Sequence, residues 1–267
     1  YADHYELGPG EIVRVTPDGI QQLLAPGEKM KICAFLWTYY GYPNSNYEGK
    51  NVEVMRYRNG QIMARDEMER GTLPEVDYIA GVPDSGLPHA IGYSNQCQKP
   101  FARPFVKYTP TWPRSFMPSN QEVRNQVAKM KQIPVPELIQ DKKLLFVDDS
   151  IVRGTTCRRT IDLLRKAGAK EIHMRVSAPP FVAACYYGTD IDDPSKLIAN
   201  NHSVEEIAKI IGVDSLGYLS LQDVVKLADN TQCGFCTACF GGGYPTAVPQ
   251  DGGKDRFECK ISERERT

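Results

Sequence analysis

The segment that most restricts the fold of this chain is 144–156, where an apolar run ends in two adjacent acids and a turn of serine, glycine and threonine follows. The apolar run at 144–147 is typical of a buried strand, and the pattern at 158–167 is typical of a helix. The N–H groups at a helix N-terminus bind anions well, and Gly154 lets the backbone approach a ligand closely. The segment therefore predicts a strand, a phosphate-binding loop and a helix, in that order.

The two acids, Asp148 and Asp149, restrict the ligand of this loop. Carboxylates beside a phosphate repel it unless they bind a metal ion or the hydroxyl groups of a sugar. The hydroxyl groups of Ser150, Thr155 and Thr156 add hydrogen-bond donors to the loop. These residues favour a phosphorylated sugar that carries Mg²⁺, although an isolated Asp-Asp-Ser also fits an ordinary strand-to-helix turn with acids at the cap.

A second loop, Val-Pro-Asp-Ser-Gly at 82–86, follows another strand pattern. Gly86 permits close backbone approach, and the Ser85 hydroxyl can donate to a phosphate or bind a metal ion. On its own the loop also fits a plain turn. Its place after a predicted strand, ahead of the two acids in the chain, favours a second anion-binding loop.

Strand and helix patterns alternate along the chain. We predict strands at 31–40, 77–82, 144–147 and 171–176, helices at 52–68, 87–94, 120–130 and 158–167, and a mainly helical segment at 203–228. The alternation predicts an α/β fold with a mostly parallel sheet flanked by helices. In such sheets, ligands bind at the carboxyl ends of the strands.

The same patterns divide the chain into three expected regions: a lead-in at 1–30, an α/β domain at 31–200 and a helical tail at 201–267. Within the lead-in, Pro-Asp-Gly at 17–19 predicts a turn between two short strands. The chain opens at Tyr1 rather than at Met, so we expect a piece of a longer protein or a processed one.

Charge and hydropathy narrow the range of partners. The net charge is −1 and charges of both signs are mixed along the chain, which gives no electrostatic footprint for nucleic acid. No apolar run approaches the roughly 20 residues that cross a bilayer, and no signal-peptide pattern is present. We therefore expect small-molecule substrates, no nucleic-acid or membrane partner, and a reducing, cytoplasmic setting.

Three of the eight cysteines lie close together, at Cys233, Cys236 and Cys239. The chain is too long and too ordinary in composition for a secreted disulfide framework, so metal binding accounts better for this group. Zinc and a [4Fe–4S] cluster both need four ligands, and the spacing fits either of them. The residues alone leave both metals open and require a fourth ligand elsewhere in the chain.

The string at 148–156 resembles the loop that binds 5-phosphoribosyl 1-diphosphate (PRPP) in type I phosphoribosyltransferases. Its second half and the Val-Pro-Asp-Ser-Gly loop resemble one branch of that family, the amidophosphoribosyltransferases. The resemblance implies a type I phosphoribosyltransferase fold and a Mg²⁺ site formed by Ser85, Asp148 and Asp149. It also implies PRPP contacts from both loops: Asp84, Ser85, Gly86, Asp148, Asp149, Ser150, Ile151, Val152, Arg153, Gly154, Thr155 and Thr156.

The segment 107–116 combines cations with aromatic side chains. It fits either a surface loop or a lid that closes over the diphosphate and excludes water. Lys107 and Arg114 resemble the first and last elements of the family's flexible loop, which implies catalytic roles for both beside Asp148 and Asp149. The Arg-Tyr pair that stands between these elements in the family is absent here.

Some amidophosphoribosyltransferases hold a [4Fe–4S] cluster, and cysteine occupies all four of the corresponding positions in this chain. The resemblance thus implies four cluster ligands: Cys33, Cys185, Cys236 and Cys239. Cys233 is then an extra thiol, and Cys97 and Cys157 are expected to be structural. The chain departs from the family at 41–45, which reads Gly-Tyr-Pro-Asn-Ser, so we expect a divergent branch.

The resemblance implies transfer of ammonia to C1 of PRPP, which gives 5-phosphoribosylamine and pyrophosphate at the first step of de novo purine synthesis. In the family, ammonia comes from glutamine through an N-terminal glutaminase domain, which this chain does not contain, and a homo-oligomer is expected. Two alternatives remain at this point. One is a phosphoribosyltransferase with a different acceptor base, and the other is a non-catalytic regulator that senses PRPP.

Overall fold

The computed structural model describes residues 5–107, 132–189, 191, 194–227 and 233–248. The chain opens with an antiparallel hairpin of β1 (Ile12–Thr16) and β2 (Gly19–Leu24), which confirms the predicted turn between two strands. Large apolar side chains of the hairpin are exposed, among them Val15 at 71% and Leu23 at 57%. The hairpin therefore buries little of its apolar surface against the rest of the described chain.

The next strand, β3 (Lys31–Cys33), is much shorter than the strand predicted at 31–40, and that prediction was wrong over its second half. The chain instead forms one turn of π-helix at Leu36–Tyr40. Arg56 donates to three main-chain carbonyl groups in and just after this turn, at 2.9–3.0 Å. A buried side chain from another element thus satisfies polar groups that a strand would have paired within a sheet.

Two short strands, β4 (Asn46–Tyr47) and β5 (Lys50–Asn51), lead into the long helix α1 (Val52–Arg70). The Asn51 side chain caps this helix by accepting the N–H of Val54 at 3.1 Å. The helix predicted at 52–68 is confirmed.

The remaining strands and α-helices are mixed along the chain, although they do not alternate strictly. They are β6 (Tyr78–Gly81), α2 (Leu87–Cys97), β7 (Phe105–Val106), β8 (Ile133–Pro134), β9 (Lys143–Asp148), α3 (Thr155–Lys166), β10 (Glu171–Val176), α4 (Ile198–Asn201), α5 (Val204–Ile211), β11 (Ser215–Tyr218), α6 (Leu221–Lys226) and β12 (Gly234–Cys236). The helix predicted at 120–130 lies outside the described residues. Among the helices that are described, none has the length and apolar character that crossing a membrane requires.

A four-stranded parallel sheet with the strand order β11-β10-β9-β6 forms the centre of the fold. Its strand β9 is completely buried from Leu144 to Val147, because α1 and α2 cover one face of the sheet and α3 and α5 cover the other. Gly81 pairs with Val147, and Val176 pairs with Asp148. The carboxyl ends of β6, β9 and β10 therefore meet at one edge of the sheet.

The segment predicted to be mainly helical at 203–228 contains α5 and α6, and it also contains strand β11, which was not predicted. Residues beyond 200 thus add an edge strand to the sheet as well as helices. A four-residue strand is too short for its hydrophobic period to be recognised. Its pairing with β10 depends on an edge that only the folded sheet offers.

Candidate active site

The two acids predicted to bind Mg²⁺ lie at the carboxyl end of β9. Asp148 is the last residue of the strand, and its carboxylate accepts the N–H of Asp149 at 2.9 Å. Burial and the neighbouring Asp149 charge raise the pKa of Asp148 well above its usual range. Burial also raises the pKa of Asp149, although hydrogen bonds from Ser150 and Ser85 oppose that rise. A half-buried acid and a buried one thus lie in contact at the sheet edge, and both have raised pKa values, which is typical of a functional site.

The second predicted loop packs directly against this strand end. The N–H of Val82 donates to the Val147 carbonyl oxygen at 2.9 Å, and the N–H of Gly86 donates back to Val82 at 2.8 Å. A Cβ atom at Gly86 would lie only 2.1 Å from the Val147 carbonyl oxygen, so the close approach requires glycine. This approach places the Ser85 hydroxyl close enough to both aspartates to lower the pKa of each. The peptide bond between Pro83 and Asp84 is cis.

The loop between β9 and α3 has the form predicted for a phosphate-binding turn. Gly154 adopts φ +75°, in the left-handed region that favours glycine, and α3 begins at the next residue. Ile151 is buried, and the Val152 carbonyl oxygen accepts the N–H of Ile198 at 3.0 Å. The backbone is thereby fixed, while the side chains of Arg153, Thr155 and Thr156 stay exposed and Ser150 is half-buried.

A lysine from the predicted lid segment reaches the second loop. The Lys107 Nζ lies 2.6 Å from a carboxylate oxygen of Asp84, and both side chains are partly exposed. The structure thus places this lysine beside the Ser85 loop. Arg114, the other predicted lid cation, lies outside the described residues, as does all of 108–131.

Arg56 is a part of this region that the sequence analysis did not identify. Its side chain is buried, and its charge interacts with that of Asp149. Burial lowers the pKa of Arg56, and the nearby charges of Glu53 and Asp149 oppose that shift. The available signal was the helical spacing, since Arg56 lies on the same buried face of α1 as Val52 and Met63.

The four cysteines implied as cluster ligands are brought together from three parts of the chain. β12 pairs in parallel with β3, which sets Cys236 directly beside Cys33. The Cys239 carbonyl oxygen accepts the N–H of Val182 at 2.9 Å, which ties the tail to the segment that contains Cys185. The thiol of Cys239 interacts with those of the other three, and burial raises its pKa. All four thiols are therefore neighbours, with Cys239 buried and the other three half-buried.

These cysteines do not converge on a single point. In the described part of the chain, no three His, Cys, Asp or Glu side chains are arranged to hold one metal ion. A tetrahedral zinc ion requires sulfur atoms at about 2.3 Å from one centre. A four-iron cluster distributes its ligands over four metals, so its sulfur ligands do not share one centre.

The other described cysteines differ from these four. Cys97 and Cys157 are buried in α2 and α3, where burial raises the pKa of both thiols. Both positions are consistent with the structural role expected of them. Cys233 is a free thiol immediately before β12.

A separate cleft of about 440 Å³ lies at the edge of the sheet beside β11. It contains Arg70 and Arg175, which pair with Asp66 and Glu67, respectively. The residues that line this cleft include none of the predicted PRPP contacts. The chemistry of the acids and loops, rather than the size of this cleft, therefore identifies the candidate site.

The chain is similar to known proteins in both sequence and fold. Residues 72–215 match the family described as phosphoribosyl transferase domain. The chain is 40% identical over 247 residues to the amidophosphoribosyltransferase of Synechococcus elongatus, covering 92% of this chain and 49% of that protein. It is 38% identical over 251 residues to that of Bacillus subtilis, covering 92% of this chain and 52% of that protein. The chain thus spans about half the length of these relatives.

A solved structure agrees with these similarities. The chain superposes on glutamine phosphoribosylpyrophosphate (PRPP) amidotransferase from B. subtilis, complexed with ADP and GMP, with a TM-score of 0.77 and 37% sequence identity. The match covers 92% of this chain and 54% of that one. The predicted α/β fold of the type I phosphoribosyltransferases is therefore confirmed.

Proposed function

The chain belongs to the phosphoribosyl transferase domain family and is a homologue of the amidophosphoribosyltransferases, and we propose that it transfers ammonia to C1 of Mg²⁺-bound PRPP. The products are 5-phosphoribosylamine and pyrophosphate. The observation that carries the proposal is the contact of Ser85 with Asp148 and Asp149 at the adjoining ends of β6 and β9. A hydroxyl group and two carboxylates are oxygen ligands of the kind that Mg²⁺ prefers.

In the proposed reaction, the bond between C1 and the pyrophosphate oxygen breaks, and its electron pair leaves with pyrophosphate. The lone pair of ammonia forms the new C1–N bond on the opposite face, and the nitrogen then loses a proton to solvent. Mg²⁺, when bound, neutralises charge on the leaving pyrophosphate. Positive charge develops on the ribose ring, and the carboxylates of Asp148 and Asp149 stabilise it electrostatically.

The two loops are proposed to bind opposite ends of PRPP. The segment 150–156 binds the 5′-phosphate through its N–H and hydroxyl groups at the start of α3. The segment 84–86 binds the pyrophosphate group, and Lys107, which already contacts Asp84, adds positive charge there. Arg114 is proposed to join it from the lid. Together these contacts hold C1 in place between the two charged ends of the substrate.

The first prediction concerns the acceptor of the phosphoribosyl group. With PRPP and Mg²⁺, the chain is expected to release pyrophosphate when ammonium is present and to show no increase with glutamine, because the family's glutaminase domain is not part of these 267 residues. A steady-state pyrophosphate assay with ammonium, glutamine or a panel of free purine and pyrimidine bases measures this. Turnover only with a base would favour a different acceptor, and PRPP binding without turnover would favour a regulator.

We also propose that a glutaminase domain is the partner of this chain and supplies its ammonia from glutamine. The half-length coverage of the relatives supports this proposal. So does the hairpin of β1 and β2, whose exposed apolar side chains offer a surface for another domain. A homo-oligomer and a reducing, cytoplasmic setting remain part of the proposal, and light scattering of the purified protein would measure the oligomeric state.

A [4Fe–4S] cluster is proposed at the four neighbouring cysteines. Their donor set is entirely thiol, and thiolates are the ligands that hold such clusters. Cys33, Cys185, Cys236 and Cys239 would hold it as thiolates. Such a group would link β3, the segment near Cys185 and the tail, so its proposed role is to stabilise the fold.

The second prediction tests these ligands. The chain purified without oxygen is expected to contain iron and acid-labile sulfide and to absorb visible light. Cys239→Ser is expected to lose most of that absorbance, whereas Cys233→Ser, which alters a neighbouring thiol outside the proposed ligand set, is expected to keep it. Zinc in place of iron, or equal loss in both variants, would contradict the assignment.

A further inference from the structure

We propose that Arg56 is a positioning residue of the Mg²⁺–PRPP site: its buried positive charge supports the acid pair, while its hydrogen bonds fix the adjoining turn at Leu36–Tyr40. The inference rests on the proposed function, since it concerns the binding of PRPP. The reaction derived above assigns no role to Arg56.

The Arg56 side chain lies in a buried environment in which main-chain carbonyl groups accept its hydrogen bonds. Arg56 is only 6% exposed, although burying a guanidinium without partners is costly. Its Nε donates to the Trp37 carbonyl oxygen at 3.0 Å, and one terminal nitrogen donates to the carbonyl oxygens of Tyr39 at 2.9 Å and Gly41 at 3.0 Å. These three acceptors are neutral main-chain groups, so the hydrogen bonds satisfy donors of Arg56 without neutralising its charge.

The positive charge of Arg56 acts on the acid pair at the end of β9. The guanidinium interacts electrostatically with Asp149, one of the two acids at the end of β9. Asp149 is itself only 5% exposed, so water screens this interaction weakly. PRPP is strongly anionic even with Mg²⁺ bound, and two adjacent carboxylates repel it. The buried positive charge of Arg56 offsets part of that repulsion.

The turn at Leu36–Tyr40, which Arg56 stabilises by hydrogen bonds, lies between two notable segments of the chain. The turn begins shortly after Cys33, one of the proposed cluster ligands, and it ends at the divergent segment 41–45. A second buried side chain, His89, contacts the Thr38 carbonyl oxygen at 3.2 Å from α2. Two helices thus fix this turn by side-chain hydrogen bonds. Arg56 is the member of this arrangement whose charge also reaches the acid pair.

The hydrogen bonds and the charge can be separated by substitution. Arg56→Lys keeps the charge but cannot reproduce the planar set of donors. Arg56→Gln keeps a planar donor without the charge, and Arg56→Met removes both. Arg65→Met serves as the matched control, because Arg65 lies exposed on the same helix. Isothermal calorimetry with PRPP and Mg²⁺ measures binding, and thermal unfolding of the same samples measures stability.

We expect all three Arg56 variants to unfold at a lower temperature than the unmodified chain. PRPP affinity is expected to fall roughly tenfold or more in Arg56→Gln and Arg56→Met, because a charge interaction with weak screening is lost. It should stay within roughly threefold in Arg56→Lys, which retains that charge. Arg65→Met should match the unmodified chain in both measurements. In that case PRPP affinity would depend on the charge at position 56, whereas thermal stability would fall in all three variants whatever their charge. An arginine with a purely structural role would not produce this difference.

The results distinguish a failure of the proposed function from a failure of the role assigned to Arg56. No binding of PRPP by the unmodified chain would overturn the proposed function, and this inference with it. If the unmodified chain binds and Arg56→Gln binds equally well, the inference alone is overturned. Equal losses of affinity in Arg56→Lys and Arg56→Gln would overturn it too. If Arg56→Met does not fold, the comparison of the lysine and glutamine variants still decides the outcome.

Discussion

Replacing Asp149 with asparagine is expected to lower kcat/KM for PRPP by roughly a hundredfold to a thousandfold, the range associated with loss of one electrostatic contact to a transition state. Asp148→Asn is expected to have an effect of similar size. Asparagine keeps the shape of the side chain but removes the charge that would bind Mg²⁺ and face the developing positive charge on the ribose. Pyrophosphate release with saturating ammonium measures this change.

The same substitution at Asp148 is expected to raise stability when Mg²⁺ is absent. Burial and the charge of Asp149 raise the pKa of Asp148 in the folded state above that in the unfolded state. The contribution of this carboxyl to stability is then present at low pH and is lost as the pH rises through the folded-state pKa. At a pH above the ordinary carboxyl range, this group therefore lowers the stability of the fold, and Asp148→Asn, which does not titrate, should unfold at a higher temperature while losing activity.

Asp162→Asn provides the control for both measurements, because it removes an exposed carboxylate from α3 in the helix that follows the phosphate loop. It should leave activity and thermal stability close to those of the unmodified chain. Unchanged kcat/KM in both Asp148→Asn and Asp149→Asn would refute the assignment of the acid pair to the reaction.

Gly86→Ala is expected to weaken PRPP binding by about a hundredfold, because a displacement of about 1 Å in a binding group has effects of that size. Gly86 has φ −80° and ψ −15°, which alanine adopts without strain, so the effect comes from space and not from backbone conformation. The added Cβ would lie 2.1 Å from the Val147 carbonyl oxygen. The loop must then move away from β9, and the Ser85 contact with the acids is lost with it.

Stability should fall as well, by about 1–3 kcal/mol, the usual cost of forcing extra volume into a packed site. Gly243→Ala is the control, since a Cβ added there meets no atom within 4 Å. Calorimetry with PRPP and chemical unfolding measure the two effects. Normal PRPP affinity in Gly86→Ala would show that close packing of this loop on β9 is not needed for binding.

The candidate site was predictable from the sequence to the extent that its parts are contiguous. Asp148, Asp149 and the loop to Gly154 follow one another directly, and their order alone indicates a strand, an anion loop and a helix. The loop at Ser85 was predicted separately. Its position beside both aspartates could not be predicted, because it depends on the pairing of β6 with β9.

The errors in the prediction have the same origin. The segment after Cys33 is apolar and aromatic enough for a strand, but three hydrogen bonds from Arg56 stabilise a π-helical turn there. Strand β11 was missed because only the exposed edge of β10 makes it a strand. In both cases a tertiary contact overrides a local preference that is worth only a fraction of a kcal/mol per residue.

The amino-acid sequence by itself determined the fold class, the two loops predicted to bind anions and the acids between them, because these depend on neighbours within a few residues and on hydrophobic period. The tertiary structure alone decided that Ser85 lies beside the acid pair, that Cys33 lies beside Cys236 and that Arg56 is buried where its charge interacts with that of Asp149. Each of these pairs joins distant parts of the chain. Burial and low local screening set the strength of such contacts, and both exist only after the sheet and its helices have packed together.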